Sequence, residues 1–383
     1  MPLHNGWLPR EGLYADPVAR AFAKAALNPL FVLPIVLAAR FTKGGGAMAA
    51  LHPVALGRIK ALLYAGLAYR INRYLSRRAI NNWTSDKYVW SKEVVVVTGG
   101  AGGIGGNVVR LLAERGISVV VLDIIPLSFD APPNVHYFKC DITSAARLAE
   151  VGDEIRARVG HPTIVINNAG VARGKSILDS TERDIRFTYD VNAIAPFLVV
   201  KEFLPEMIKR NHGMVVNVSS FAAFLSAPNM VDYSSTKAAV MSFHEGLTAE
   251  LKTRYNAPRV RTVLVNQSYT KTPLFDGYRA DKSFLVPALE PESVADAIVR
   301  QVLTGESGQV ILAEVAGNIL SALRAFPHWY QHGLRTKTKD LMTNFSGRQV
   351  VKDLDKFYKD KKQSSADEST VLVGRETSGA DAS

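Results

Sequence analysis

Residues 94–105 read Val-Val-Val-Val-Thr-Gly-Gly-Ala-Gly-Gly-Ile-Gly, and no other stretch restricts the fold so tightly. The valine run suits a strand buried on both faces. The glycines after it let the backbone turn sharply, and Ile104 to Arg115, closed by Gly116, has the apolar pattern of a helix. Strand, glycine turn and helix in direct succession form a βα unit. The free amides and positive end of such a helix face the turn, which becomes a cradle for a phosphate. A merely flexible loop would not need the flanking strand and helix.

The alternation continues downstream. Ile117–Asp123 and Val135–Lys139 read as strands, Ser144–Val159 as a helix and Thr163–Asn167 as a fourth strand, with further strands near Met214–Val218, Val260–Asn266 and Val310–Leu312. The pattern predicts an α/β fold: a doubly wound, Rossmann-type parallel sheet of about seven strands, as a single domain with an N-terminal hydrophobic extension. Ligands then bind beyond the carboxyl ends of the strands. The expected division is an extension over 1–92, the dinucleotide-binding catalytic domain over 93–315, a helical extension over 316–358 and a charge-dense, disordered tail over 359–383. In the helical extension Val315, Ile319, Leu323, Phe326, Tyr330 and Leu334 recur at helical spacing, with a kink expected at Pro327. The chain has one cysteine, Cys140, which excludes an intrachain disulfide and a multi-cysteine zinc site. No metal site is expected.

The net charge of +11 sits almost wholly at one end. Residues 1–92 carry 13 of the 46 Lys/Arg and three of the 35 Asp/Glu, leaving the remainder of the chain close to neutral. That asymmetry fits a segment lying on an anionic membrane better than a nucleic-acid-binding domain. The extension holds an apolar run from Ala25 to Ala39, broken by Asn28, Pro29 and Pro34. After a flexible Gly44–Gly46 comes a second, Val54–Tyr69, ending in Arg70, Arg73, Arg77 and Arg78. The first run would extend about 22 Å as a helix, less than the ~30 Å hydrocarbon core. Residues 20–80 could be a cleaved signal peptide, a segment packed on the main domain, or an interfacial anchor; the basic flanks favour the anchor. Membrane association at the endoplasmic reticulum or a lipid droplet, with the catalytic domain in the cytosol, follows as the expectation.

Asp123 closes the second strand 18 residues after Gly105. A carboxylate there accepts bonds from both ribose hydroxyls of NAD and repels a 2′-phosphate, and no Lys or Arg follows it directly, so NAD is favoured over NADP.

Thr98-Gly99-Gly100-Ala101-Gly102-Gly103-Ile104-Gly105 matches the Thr-Gly-x-x-x-Gly-x-Gly pattern of the short-chain dehydrogenase/reductase family, and the resemblance extends over about residues 93–315. Asp141-Ile142 looks like the family's pair beside the adenine. Asn167-Asn168-Ala169-Gly170 matches its turn after the fourth strand, and Asn192 its helical asparagine. Tyr233-Ser234-Ser235-Thr236-Lys237 follows, with Ser220 thirteen residues before the tyrosine. Tyr-x-x-x-Lys also occurs at Tyr88–Lys92 and Tyr358–Lys362, so the motif identifies nothing by itself. Only the Tyr233 copy lies on a core helix, with Ser220 and Asn192 at the family's distances.

The resemblance implies a cofactor site of Thr98, Gly99, Gly103, Ile104, Gly105, Asp123, Asp141, Ile142, Asn168, Ala169, Gly170, Tyr233, Lys237 and Thr272. It also implies that Ser220 bonds the substrate oxygen, that Lys237 bonds the nicotinamide ribose, and that Asn192 holds a water leading to the lysine. Hydride transfer at carbon requires a proton to move at the attached oxygen. Tyrosine is a poor base at its free pKa of about 10, and a neighbouring ammonium is expected to lower it. One departure is visible: where the family carries Pro-Gly, this chain reads Asn266-Gln267-Ser268-Tyr269.

Phe221, Phe224, Leu225, Leu274, Phe275, Phe284 and Leu285 are the candidate lining of an apolar substrate site. With an anchored N-terminus, the whole resembles the membrane-associated retinol and 17-beta-hydroxysteroid dehydrogenases. The expected activity is interconversion of a lipophilic alcohol with its ketone or aldehyde. A homodimer is the expected assembly. A dinucleotide-binding membrane scaffold without turnover and a sugar-nucleotide epimerase are the alternatives; no nucleotide-sugar domain is evident for the latter.

Overall fold

The computed structural model describes residues 3–6, 8–279 and 283–359. Seven parallel strands form one sheet: β1 (Val94–Thr98), β2 (Ser118–Asp123), β3 (Val135–Lys139), β4 (Ile164–Asn167), β5 (Gly213–Val218), β6 (Val260–Gln267) and β7 (Gly308–Leu312). Their order is β3-β2-β1-β4-β5-β6-β7. The register pairs Val96 with Val120 on one side and with Val165 on the other. Side chains alternate between two cores as strand geometry demands. Val95, Val97, Val119, Val121, Ile164 and Ile166 enter one; Val94, Val96, Val120 and Val165 enter the other.

The N-terminal extension is helical: α1 (Ala15–Ala25), α2 (Pro29–Phe41), α3 (Lys43–Leu51) and α4 (Pro53–Ile80). The apolar run splits where Asn28 caps α2 by accepting from the Leu30 amide. Pro29 opens that helix, where a missing N–H costs nothing. Pro34 lies inside α2 without ending it. Gly44–Gly46, expected to be flexible, fall instead in α3, because the Thr42 hydroxyl accepts from the Gly45 amide and supplies an N-cap. The extension docks on the domain at several places, among them Arg10 on Asp296 and Arg77 on Glu306. Asp16 caps a C-terminal helix by accepting from the amides of Glu314 and Val315. The fully buried Arg261 donates to the carbonyls of Asn81 and Thr84.

Nearby, His212 lies between Asp86 at 2.7 Å and Glu93 at 3.2 Å. The bond to Glu93, working against desolvation and joined by Asp86, raises the imidazole above its ordinary value. A raised folded value stabilises the protein fully below the free pKa of about 6.5, and the contribution is lost as pH rises through the folded value. His212→Gln is expected to cost about 1 kcal/mol at pH 6 and less at pH 9. Urea unfolding at the two pH values measures this; an equal cost at both contradicts it.

α5 (Gly103–Ala113) covers the first face of the sheet, burying Val108, Val109, Leu111 and Leu112. Each contributes about 1.5–3 kcal/mol relative to exposure. The second face carries α6 (Ala145–Arg158) and then, beyond α7 (Glu182–Tyr189) and a π-helical turn at Asp190–Ile194, α8 (Ala195–Arg210) and α9 (Val231–Thr253). α10 (Pro291–Leu303) returns to the first face beside α5. After β7 come α11 (Glu314–Ser321) and α12 (His328–Lys337), separated at Pro327. Residues 338–359 then cross the carboxyl end of the sheet. The disorder expected for the tail falls, beyond Lys359, outside the described residues.

Candidate active site

β1 and β4 are neighbours, and the chain leaves them toward opposite faces, β1 into α5 and β4 toward α8. A crevice opens at such a switch point. Its two walls are stitched together. The Thr98 hydroxyl accepts from the amides of Asn168 and Ala169, each at 3.1 Å, and the Asn168 side chain donates to the carbonyls of Thr98 and Gly99, each at 3.1 Å. Only glycine suits two positions of this seam. Gly99 has φ +65° with Ala169 Cα 2.8 Å from where a Cβ would stand, and a Cβ on Gly105 would lie 2.3 Å from the Gly99 carbonyl oxygen.

The crevice is a cavity of about 600 Å³. It is bordered by Gly99, Gly103, Ile104, Asp123, Asp141, Ile142, Asn168, Ala169, Gly170, Ser220, Tyr233, Lys237 and Thr272. Thr98, Gly105 and Asn192 lie behind the wall and shape it. At one end the Asp123 carboxylate accepts from the Ala101 and Ile125 amides, which fixes it against the glycine turn. Asp141 is held likewise by the Thr143 amide and hydroxyl. Cys140 also borders the cavity, but burial pushes its thiol up to about 12, which leaves it a neutral thiol. The cradle, its helix N-terminus and a carboxylate one strand over fit a nicotinamide dinucleotide: the space beside Gly103 is open, with Thr272 at 3.9 Å from a would-be Cβ.

At the other end, i and i+4 positions on α9 put Tyr233 and Lys237 on one face, both buried, with Nζ 5.6 Å from the ring centroid. Lys237 Nζ donates to the Val218 carbonyl at 3.0 Å. Ser220, just past β5, accepts from the Ala222 amide and acts on the phenol of Tyr233 as a hydrogen-bond partner. The neighbouring Ser219 is buried, spends its hydroxyl on the Lys237 carbonyl and is absent from the cavity wall. Asn192 sits in the π-helical turn, a distortion often found at functional sites. Its amide is fully engaged, exchanging bonds with the Val171 backbone and donating to Thr236 beside the lysine. Burial dominates the ionisation of the pair. It pushes Tyr233 above its free value, which the Ser220 bond only moderates, and pulls Lys237 down to about 8. The lowering of the tyrosine expected from the ammonium is not found: burial prevails, and what lowering there is comes from Ser220.

Phe221, Leu225, Leu274 and Phe275 line the apolar end, but Phe224, Phe284 and Leu285 do not. Phe224 packs with Phe221, Ala313 and Ala316, and Phe284 and Leu285 are exposed. Leu334, from the helical pattern of the C-terminal extension, also lines it; sequence reading missed Lys337, Leu341, Arg348, Val350 and Phe357. The extension is held by Gln349 donating to the Ala172 carbonyl and by Tyr358 donating to Asp190. The decoy tyrosines thus have structural partners; Tyr88 donates to the Gly213 carbonyl. Lys362 lies outside the described residues.

Residues 93–283 match the short chain dehydrogenase family. Dehydrogenase RED2 of Cochliobolus heterostrophus is 45% identical over 198 residues, covering 51% of this chain and 75% of that one. Mouse 17-beta-hydroxysteroid dehydrogenase 13 is 31% identical over 226 residues, 56% of this chain and 72% of that one. Mouse epidermal retinol dehydrogenase 2 is 30% identical over 224 residues, 55% and 72% respectively. A short chain dehydrogenase from Burkholderia cenocepacia, solved in complex with NADP, superposes with a TM-score of 0.54 at 26% identity, covering 64% of this chain and 98% of that one. The chain belongs to the short-chain dehydrogenase/reductase family, in the branch with the retinol and steroid dehydrogenases, and is an oxidoreductase acting on CH–OH groups.

Proposed function

We propose that the protein interconverts a lipophilic alcohol and its ketone or aldehyde at a membrane surface, using NAD. The observation that carries this reading is the single cavity that joins the Asp123 end to Ser220, Tyr233 and Lys237 and continues into an apolar chamber of Phe221, Leu225, Leu274, Phe275, Leu320 and Leu334. Bound NAD would supply the hydride acceptor, seated with its phosphates at the glycine turn and its ribose at Asp123. Ser220 holds the substrate oxygen, and Tyr233 takes or returns its proton. Lys237 stabilises the phenolate whenever that form is needed. Asn192 positions: by fixing Val171 and Thr236 it sets the wall beside Gly170 and the turn of α9 that carries the lysine. The names of the steroid and retinol dehydrogenase relatives support an apolar substrate. The test is a panel of retinol, hydroxysteroids and long-chain alcohols assayed with NAD and NADP. Turnover of none of them overturns the reading, and a preference for NADP overturns its cofactor.

Membrane attachment belongs to the same proposal, at the endoplasmic reticulum or a lipid droplet with the catalytic domain in the cytosol. Residues 15–41, two helices joined at Asn28, form an apolar stretch of which only 11% is buried. Leu30, Phe31 and Ile35 are exposed on α2, and Arg40 and Lys43 close it with positive charge. Replacing Leu30, Phe31 and Ile35 together by glutamate is expected to move most of the protein from the membrane pellet to the supernatant. Unchanged pelleting of the folded variant contradicts the anchor.

A further inference from the structure

The glycine turn, residues 98–106, contains no Lys or Arg, so the amide-rich start of α5 is its only compensation for phosphate charge. The charged residues lining the cavity are Asp123, Asp141, Lys237, Lys337 and Arg348. Lys237 is committed to the catalytic end, and Lys337 sits in the last turn of α12. Arg348 is placed differently. Its amide donates to the Pro273 carbonyl at 2.6 Å, next to Thr272, the residue that faces Gly103. It also borders a second depression shared with Ile125, two residues past Asp123. The C-terminal segment therefore carries Arg348 to the cavity rim between the loop after β6 and the end of β2, the two elements that flank the glycine turn. Among the described residues its guanidinium has no hydrogen-bond or ion-pair partner.

We infer that Arg348 binds a phosphate of the dinucleotide, supplied from the C-terminal segment and not from the matched span 93–283. The inference rests on the dinucleotide reading above. Guanidinium offers paired donors to phosphate and keeps its charge at all working pH values. It replaces the cation that the glycine turn lacks, and it makes cofactor affinity depend on how well the C-terminal segment is seated.

The test is calorimetric titration of the full-length protein with NAD and with NADP at low and high salt. Arg348→Ala is expected to weaken binding about tenfold and to flatten its salt dependence, because a screened charge contact is gone. Arg348→Lys recovers part of the affinity, whereas Lys356→Ala, an equal loss of charge at an exposed site off the cavity, leaves it unchanged. Equal weakening for both dinucleotides assigns the contact to the bridging pyrophosphate; weakening for NADP alone assigns it to the 2′-phosphate. Either result supports a phosphate contact. If Arg348→Ala binds both as wild type does, or if Ala and Lys weaken binding equally without altering the salt dependence, the inference is overturned. A wild-type protein that binds neither dinucleotide overturns the proposed function as well.

Discussion

Tyr233→Phe is expected to lower kcat/KM for alcohol oxidation by about a thousandfold while leaving dinucleotide affinity within about twofold, since general acid–base catalysis contributes 10²–10⁴. The phenol is buried, Ser220 is its hydrogen-bond partner, and phenylalanine fills the same volume, so the substitution removes the proton relay and little else. The ionisation of the site adds a directional signature. Burial holds Tyr233 protonated through neutral pH, the form that donates to a carbonyl oxygen, so reduction is expected to run undiminished at pH 7. Oxidation requires the phenolate and is expected to accelerate as pH rises. Lys237, down to about 8, loses its charge within the same window and limits that rise. Steady-state rates in both directions from pH 6 to 10 check the pattern. Full activity in Tyr233→Phe, or matching profiles in the two directions, would remove Tyr233 from the mechanism.

Local chemistry explains why the core and this constellation were legible in the sequence. A four-valine strand cannot be solvated, a glycine run between strand and helix has few other uses, and Ser220, Tyr233 and Lys237 lie close enough in the chain for spacing to bring them together. Spacing singled out Ser220, and the structure shows why its neighbour Ser219 does not serve: one hydroxyl meets the cavity and the other is bonded to α9. The misses have equally physical causes. Gly44–Gly46 became helical because a threonine cap satisfied the amides that three glycines would otherwise leave loose. Phe284 and Leu285 look like pocket lining by composition, but burial is decided by what packs over a loop, which no periodicity encodes. The C-terminal segment was invisible for the same reason. Arg348 and Phe357 reach the cavity through contacts with Pro273 and Phe187, and Val350 through its neighbours Gln349 and Val351, which accept from Arg173, all more than seventy residues away in sequence.

One of the ties that seat that segment runs through a buried carboxylate, and removing it is expected to be the most destabilising single change outside the core. Asp184 accepts from Arg173 at 2.8 Å and Lys175 at 2.7 Å, and it closes a capping box with Thr181 at the start of α7. Burial alone would push its carboxyl up, but the bonds from Lys175, Thr181 and Arg173 outweigh this and hold it well below the usual carboxylate range. Arg173 in turn donates to Gln349 and to the Val351 carbonyl, on either side of Val350 and next to Arg348. Asp184→Ala strands the largely buried Arg173 without its counter-charge, a loss of about 3–5 kcal/mol. For a chain of this size that corresponds to a fall in Tm of roughly 5 °C. Replacing the pair together, Arg173→Met with Asp184→Leu, is expected to recover much of that stability, because no charge is left buried. It does not restore the tie to Gln349, so dinucleotide affinity stays low in the double variant while stability returns. Thermal unfolding and dinucleotide titration on the same two proteins separate the effects. Recovery of both in parallel would mean that Arg173 supports the fold only and does not hold the segment over the cofactor.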